Sequence, residues 1–532
     1  MPAMEATIVA RTSRKREKKA QPAGSGVAAE RAAPPVPQQG AVPVLTVRHY
    51  CQGIGDSHLL TFRKADGSLF RMLIDCGIHS SISGGPDLIR DIAVDIKKET
   101  AGKIDVLVVT HEHWDHVSGF KSAADTFKDF DVGEVWMAWS ENPKDPDAIT
   151  FDKFKGEALS ALQGASRKLE ALKGSNTYLA GLRGGLQSIM GFQFGAAGEK
   201  VRAARDAAAG LSKGRAPVYL GPETPPFSIP GLPSMRVYVL GPPRSREALQ
   251  LETKASEMYG LGRQDAPIFL RPLHAGLVAN ENGDTAFADD SSPFDPHIGS
   301  SLSDVLAGDL EGDVADFVRR HYVEPLPTGE GKPRIDEATA TDQSWRRIDA
   351  DWLGIAADLA MQLDRGVNNT SLVLAFEMLD TGRVFLFPGD AQIGNWLSWQ
   401  DVKWTVGQTE VKAVDLIGRT VYLKVAHHGS ENATPDQKGL GVMTSPDLSA
   451  FIPTSKQDAV KVHWGAMPYD AILKALAVKT GGRVIRADDE WLATQDGTPE
   501  FSVPSGSLLA VRNAVRDPRH GKGGLWVEVD LA

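Results

Sequence analysis

A cluster of histidines and acids stands in the segment Thr110–Gly119, whose sequence is THEHWDHVSG. His111 and His113 are two residues apart and directly follow an apolar run, so both imidazoles can turn to one side and bind a metal ion. Asp115 and His116 follow on the next turn and can reach a second ion about 3.5–4 Å from the first. The spacing therefore predicts a pair of divalent cations at the end of a strand.

Four residues cannot complete two coordination shells, so further ligands are expected at other strand ends. Asp390 follows an apolar run and a Pro-Gly turn, where its carboxylate can bridge both ions. His427 and His428 follow the apolar run 421–426 in the same way. We predict His427 as the ligand because it leaves the strand first, and His428 as the group that donates a proton to the leaving group. Asp115 is expected both to bind metal and to orient the attacking water.

The elements that must carry these residues follow from apolar periodicity. It predicts strands at 44–50, 58–62, 70–75, 104–109, 235–240, 371–376, 383–387, 421–426 and 525–530, and helices at 87–100, 345–363 and 469–478. A β-rich opening followed by βαβ alternation favours mixed sheets covered by helices.

Composition limits the protein class. Asp and Glu number 68 and Lys and Arg 58, a net charge of −10, which excludes a general nucleic-acid coat protein but leaves a local basic groove open. Only two cysteines occur, Cys51 and Cys76, which excludes a disulfide scaffold and a four-thiolate zinc site and fits a reducing compartment. No apolar run is long enough to span a membrane, and no apolar segment follows the basic cluster near the N-terminus. We therefore expect a cytoplasmic protein without membrane contact.

Several stretches resemble the metallo-β-lactamase superfamily. They are the His-x-His-x-Asp-His pattern, the Gly-Asp turn at Asp390, the strand-end histidine, and Met72–Gly77 (MLIDCG), whose Asp75 that superfamily places behind the metal-binding loop. The sequence is more closely similar to the hydrolase domain of the ComEC competence family and its stand-alone soluble relatives. That similarity is carried by Gln52–Ser57 (QGIGDS), Asn368–Leu374 (NNTSLVL), Pro388–Asp390 (PGD) and Leu423–Ser430 (LKVAHHGS).

The resemblance implies an α+β fold, the αββα sandwich of the metallo-β-lactamases, over residues 42–532. Two long insertions, at about 141–230 and 244–342, have no counterpart in that family. Residues 1–41 are rich in Ala, Pro and charge, so we expect a disordered tail. The resemblance also implies a phosphodiester or nucleotide-containing substrate, and the His and Asp ligand set suits two zinc ions, with manganese or iron as alternatives.

One departure from the superfamily concerns the first metal ion. Gly241 stands where many members carry a further metal-binding histidine. A histidine of the second insertion could supply the missing ligand; the candidates there are His274, His297 and His321.

The remaining candidates are expected beside the metal ions. Asp75 is predicted to brace the metal-binding loop, and Asn369 to brace the turn near Asp390. Ser430 can meet a phosphate oxygen or cap a turn, and His463 is expected to line the site.

Three functions follow from this pattern. The first is a dinuclear metal-dependent hydrolase of a phosphodiester, with a small or single-stranded substrate favoured by the acidic composition. The second is a hydrolase of a non-phosphate ester, lactone or amide, which the same metal pair can perform. The third is an interaction protein that binds protein partners through its insertions and keeps a weakly active metal site.

Overall fold

The computed structural model describes residues 42–153, 155–156, 199–251, 366–461, 467–494, 497, 506–516 and 523–532. The chain divides into Met1–Val36 and Pro37–Ala532, and every described residue belongs to the second unit. The predicted tail, the predicted helix at 345–363, nearly half of the first predicted insertion and most of the second lie outside the described residues.

An eight-stranded sheet, which we call the first sheet, has the order β16-β17-β1-β2-β3-β4-β5-β6. Its strands are β1 (Leu45–Tyr50), β2 (Ser57–Arg63), β3 (Leu69–Cys76), β4 (Lys103–Val109), β5 (Asp131–Ala138), β6 (Val218–Leu220), β16 (Leu508–Val515) and β17 (Gly524–Leu531). β3, β4, β5 and β6 run parallel to one another. β1 pairs with β17 antiparallel, with Leu45 opposite Leu531.

A seven-stranded sheet, the second sheet, has the order β15-β14-β13-β10-β9-β8-β7. Its strands are β7 (Phe227–Ile229), β8 (Leu232–Gly241), β9 (Val373–Met378), β10 (Val384–Phe387), β13 (Thr420–Lys424), β14 (Ser449–Ile452) and β15 (Val484–Arg486). β10 and β13 are parallel. A separate hairpin joins β11 (Lys403–Val406) to β12 (Thr409–Lys412). β6 and β7 fall inside the range predicted as the first insertion, yet each extends one of the two sheets.

The helices cover the outer faces of the sheets. They are α1 (Gly85–Thr100), α2 (Trp114–Ser122), α3 (Ala124–Phe127), α4 (Glu199–Gly210), α5 (Arg246–Gln250), α6 (Ile393–Ser398), α7 (Ala413–Gly418), α8 (Lys456–Lys461) and α9 (Asp470–Thr480). Short 3₁₀ or π turns occupy Trp139–Glu141, His427–Gly429, Asp436–Leu440 and Glu490–Ala493.

Three apolar clusters define four layers. The first lies between the sheets and joins side chains such as Val106 of β4 to Leu374 of β9. The second lies under α1, α2 and α4 and includes Leu107, the next residue along β4. The third lies under α6, α7 and α9 on the far side of the second sheet. Successive residues of one strand are buried on opposite faces, which is why these strands appear in the sequence as continuous apolar runs. The layers follow the order helices, first sheet, second sheet, helices. This order confirms the predicted α+β sandwich.

No helix among the described residues is both long enough and apolar enough to cross a membrane.

The two sheets meet at the ends of their parallel strands. The backbone N–H of Leu372, just before β9, donates to the carbonyl of Thr110, just after β4, at 2.8 Å. The carboxyl ends of β4, β10 and β13 therefore open on a common edge, where the predicted ligand stretches follow.

Gly77, directly after β3, allows the close approach that places α2 at this edge. A Cβ on Gly77 would lie 2.2 Å from the carbonyl carbon and oxygen of Asp115. The backbone of Asp56 links the same two segments, since its carbonyl accepts from Gly77 at 2.9 Å and its N–H donates to Asp115 at 3.0 Å.

Substitution of Gly77 by alanine should push α2 away from β3. We expect Gly77→Ala to lower the free energy of unfolding by about 1–3 kcal/mol or more, because the backbone beside it cannot yield as a flexible side chain would. Urea denaturation measures the change. Gly210→Ala is the matched control, since a Cβ there meets nothing within 4 Å, and it should leave stability nearly unchanged. Equal stability of both variants would contradict the close packing.

Candidate metal centre

The histidine-rich stretch forms the turn from β4 into α2. His113 precedes the first residue of α2 with an extended backbone, at φ −84° and ψ 151°. Asp115 and His116 lie on the first turn of the helix, directly after the two histidines that follow the strand. All four side chains of His111, His113, Asp115 and His116 are buried.

Four buried side chains from three distant stretches converge on one point. Asp115, His116, Asp390 and His428 each offer a ligand atom within 4.8 Å of the others. Nε2 of His116 lies 3.0 Å from Oδ2 of Asp390, and Nε2 of His428 lies 3.1 Å from Oδ2 of Asp115 and 3.5 Å from Oδ2 of Asp390. We call these four residues the ligand cluster.

The ligand cluster fits a divalent cation. Two imidazoles and two carboxylates are a common donor set for zinc and related ions. Oδ1 of Asp115 is buried and accepts no hydrogen bond, although a buried carboxylate oxygen ordinarily has a partner. A cation bound by the cluster, or a water on that cation, would satisfy this oxygen.

His111 and His113 lie beside the ligand cluster rather than within it. Nε2 of His111 is 3.0 Å from Nδ1 of His113, and the ring centroids of His111 and His116 are 4.1 Å apart. The pair is adjacent to the four ligands, as a second cation position would require, but only two imidazoles form it.

Asp75 holds the turn from behind, in the position expected for a brace. Its Oδ1 accepts from the backbone N–H of Thr110 at 2.8 Å, and its Oδ2 accepts from the Thr110 hydroxyl at 2.6 Å. Nδ1 of His116 lies 2.8 Å from the same Oδ2. A carboxylate on one imidazole nitrogen leaves the other nitrogen directed at the cluster, which is how outer partners orient metal-binding histidines.

Asp390 is held by groups of the second sheet. Its Oδ1 accepts from Nζ of Lys424 at 3.2 Å and from the backbone N–H of His427 at 3.1 Å. Lys424 is 1% exposed, also donates to the carbonyl of Gly389 at 2.8 Å, and forms an ion pair with Asp56. Oδ2 of Asp390 is left for His116 and for a cation.

Lys424 and Asp56 were missed by sequence reasoning. A lysine inside the apolar run 421–426 was the available signal, because a buried ammonium group needs a carboxylate partner. The position of that partner, in the turn between β1 and β2, could not be read from spacing.

The two adjacent histidines take different places. Nδ1 of His428 is 2.6 Å from the carbonyl of Pro453, and its Nε2 joins the ligand cluster. His427 is only half-buried, and its Nδ1 lies 2.7 Å from Oγ of Ser430 and 3.1 Å from Nε2 of Gln392. Both residues have positive φ, 43° and 55°, so the chain turns sharply and the second histidine faces the cluster. The geometry favours His428 as the ligand, the reverse of the sequence-based preference.

Asn369 joins three segments near the centre. Its Nδ2 donates to the carbonyls of Leu249 and Leu251 at 3.2 Å each. Its Oδ1 accepts from the backbone N–H groups of Gln392 and Asn395, at 3.2 and 3.1 Å. These bonds put Asn369 in the position predicted for a brace of the turn after Asp390. His463 lies outside the described residues, as do His274, His297 and His321.

The backbone at Gly241 has no room for a Cβ atom, because another side chain occupies that space. A Cβ at this position would lie 2.2 Å from Oδ1 of Asn395. Nδ2 of Asn395 donates to the carbonyls of Asn369 and Ser371, at 3.1 and 3.2 Å, so the amide is fixed there. No ligand can therefore project from position 241 without displacing Asn395.

Charge within the ligand cluster is balanced between acids and imidazoles. Burial alone would lower the pKa of His116, but Asp390, Asp56 and the neighbouring carboxylates outweigh burial and raise that pKa. His428 follows the same pattern, with Asp390 and Asp115 raising its pKa against the effect of burial. Burial would raise the pKa values of Asp115 and Asp390, yet His116 and its neighbours hold both well below the usual range.

The pKa values of His111 and His113 shift in the opposite direction to those of His116 and His428. Burial, together with the nearby His116, lowers the pKa of each, that of His113 to about 4. Both are neutral at neutral pH, the form in which imidazole binds metal.

Comparison with known families agrees with the geometry. Residues 63–131 match the family model of the metallo-beta-lactamase superfamily, a range that runs from the end of β2 through the histidine-rich turn. No curated protein sequence matches the chain. The family match and the layered sheets support a metallo-β-lactamase fold, and the buried His and Asp groups support divalent metal binding.

Metal loading should release protons at neutral pH. The carboxylates beside His116 and His428 raise the pKa of each and so favour the protonated ring in the metal-free protein, and a cation must displace such protons to bind. We therefore expect zinc affinity to rise with pH until both pKa values are passed. Calorimetry in two buffers of different ionisation enthalpy measures the protons released. Release of no proton at pH 7 would contradict this charge pattern.

The two adjacent histidines should differ in their effect on metal content. His428→Ala removes a member of the ligand cluster, so we expect metal affinity to fall by at least the 10–100-fold that loss of an outer partner costs. His427→Ala is the matched control and should keep near wild-type metal content. Elemental analysis after dialysis compares them. The opposite result would restore His427 as the ligand.

Proposed function

We propose that this protein is a metal-dependent hydrolase of phosphodiesters, with a centre that binds two divalent cations of unequal affinity. The observation that carries the proposal is the ligand cluster: four buried ionisable side chains from three stretches of chain meet within 4.8 Å. The superfamily match over residues 63–131 supports hydrolysis, since members of that superfamily are mostly hydrolases.

The two cation positions differ in their ligands. The ligand cluster offers two carboxylates and two imidazoles to one ion, whereas the neighbouring position has the two imidazoles of His111 and His113. Asn395 excludes a further ligand from position 241. We therefore assign the tighter position to the ligand cluster. Zinc is the first candidate for both, with manganese or iron as alternatives.

Bound divalent cations would supply an activated water and a Lewis acid for an oxygen of the substrate. Asp115 can orient the attacking water, because its Oδ1 has no other partner. Lys424 and the His427 backbone hold Asp390 in one orientation, so its free oxygen faces the cluster. Preorganised groups of this kind need no rearrangement during the reaction.

His427 is placed to contact the substrate. It is half-buried, and Gln392 donates to its Nδ1 while the Oε1 of Gln392 accepts from Asn432 at 3.0 Å. The other ring nitrogen, Nε2, lies 3.4 Å from Nδ2 of Asn368. A proton on Nε2 would let the ring stabilise negative charge that develops on a leaving oxygen. His427 thus takes the role that the sequence analysis gave to His428.

The substrate class follows from the resemblance to ComEC-type hydrolases and from charge. The described groups around His427 are neutral amides and a hydroxyl, those of Asn368, Gln392, Ser430 and Asn432. This lack of positive charge around the His427 ring suits a singly charged phosphodiester better than a densely charged duplex, whose binding needs clustered Lys and Arg. A small or single-stranded substrate is therefore our proposal.

Two other functions remain to be separated by experiment. The same centre can hydrolyse a carboxylic ester, lactone or amide. An interaction protein with a slow centre would bind partners through its insertions.

Activity on model substrates tests the proposal. The zinc- or manganese-loaded protein should hydrolyse bis-p-nitrophenyl phosphate, and Asp115→Asn should lower kcat/KM by about 10²-fold or more, because a group that orients the attacking water contributes on that scale. Asp125→Asn, in an exposed ion pair on α3, is the matched control and should keep wild-type activity.

Turnover assays with p-nitrophenyl acetate and with a lactone separate the alternative functions. Turnover of these alone would favour the carboxyl-ester hydrolase. Bound metal without turnover on any substrate would favour the interaction protein and contradict our proposal.

A further inference from the structure

A buried group of four charges lies directly behind the histidine-rich turn. Glu112 stands between His111 and His113, and its carboxylate contacts two cations. Nζ of Lys155 lies 2.5 Å from Oε1 of Glu112, and Nη1 of Arg205 lies 2.7 Å from Oε2. The same Nη1 lies 2.9 Å from Oε2 of Glu141. We call Glu112, Glu141, Lys155 and Arg205 the charge cluster.

Both positively charged side chains, those of Lys155 and Arg205, come from the segment predicted as the first insertion. Lys155 belongs to the helical residues near 146–156, and Arg205 lies in the middle of α4. α4 packs against α2, the helix that carries Asp115 and His116. The segment thus contacts the metal-binding turn and the metal-binding helix together.

In the charge cluster the side chains of Glu112, Glu141 and Lys155 are at most 10% exposed, and that of Arg205 is 19% exposed. Lys155 is 3% exposed, and the side chain of Glu141 is 1% exposed. The two carboxylates and the two positively charged side chains make the charge cluster neutral overall. Burying four charges has a large desolvation cost, which the attraction between them offsets only when the geometry is well defined. Such a group is better suited to fixing one arrangement than to raising stability.

The arrangement it fixes is that of the neighbouring histidines. Glu112 is held by the inserted helices over the first sheet, whereas His111 contacts Oγ of Ser371, just before β9 of the second sheet, at 3.3 Å. The turn is therefore held from both sides. The rings of His111 and His113, which lie on either side of Glu112 in the chain, come to 3.0 Å from each other.

We propose that Lys155 and Arg205 are positioning residues of the metal centre, which hold Glu112 and so direct His111 and His113 toward the weaker cation position. The inference rests on the proposed metal-dependent function. It assigns to the first insertion a role in metal binding that the superfamily match, which ends at residue 131, does not cover.

Metal affinity of the folded protein tests this role. Lys155→Met keeps the length of the side chain and removes its charge, and we expect the affinity for the weaker ion to fall about 10–100-fold, as when an outer partner of a metal ligand is lost. Cobalt(II) is the probe: competition with a chelator gives the affinity, and the absorption bands of the bound ion report the ligand geometry. Lys155→Arg keeps the charge and should restore near wild-type affinity and spectrum.

A matched control separates this role from stability alone. Lys128→Met removes an exposed lysine that pairs with Asp125, and its affinity should equal that of the wild type. Should Lys155→Met fail to fold, Glu112→Gln keeps the size and an acceptor oxygen of the side chain, and it should weaken the same ion about tenfold.

The outcomes distinguish the two proposals. A folded Lys155→Met or Glu112→Gln variant with wild-type affinity for both ions and an unchanged cobalt spectrum overturns the positioning role and leaves the metal centre intact. A wild-type protein that binds no cation overturns both.

Discussion

The structure depends on one carboxylate that is shared between two sheets. Asp390 follows a strand of the second sheet, and its Oδ1 is held there by Lys424 and the backbone of His427. Its Oδ2 reaches across to His116, which follows a strand of the first sheet. Unless the two strand ends lie at this spacing, the ligand cluster cannot form. The layered core, the contact of Leu372 with Thr110 and the glycine at position 77 all maintain that spacing.

Much of this arrangement could be predicted from the sequence, because its parts are local. Strands buried on both faces appear as apolar runs, and the runs ending at residues 109, 387 and 426 each precede the residues that meet. Asp115 and His116 were predicted from their spacing, and Asp390 from its place after an apolar run and a Pro-Gly turn. The preference for His427 came from its place in the chain, and the positive φ values at both histidines, which turn the second one inward, have no signature in the letters HHG.

The remaining features depend on contacts between residues far apart in the chain. Lys424 pairs with Asp56, and Glu112 with Lys155 and Arg205, and no periodicity connects these positions. Gly241 could be read from the sequence only as a missing ligand. The structure gives its physical reason, which is that the amide of Asn395 occupies the space. The first predicted insertion likewise contains β6 and β7, which are too short for a clear pattern yet complete the edges of both sheets.

The pairing of β1 with β17 has a consequence for synthesis of the protein. The hydroxyl of Thr46 donates to Asp530 across 484 residues of chain, so the first sheet gains the inner strand β17 only after that strand has been synthesised. Until then β1 presents an unpaired apolar edge to other nascent chains, a state that favours aggregation. Contacts of such long range also slow folding. The first sheet therefore depends on protection of the free edge of β1 until β17 has been synthesised.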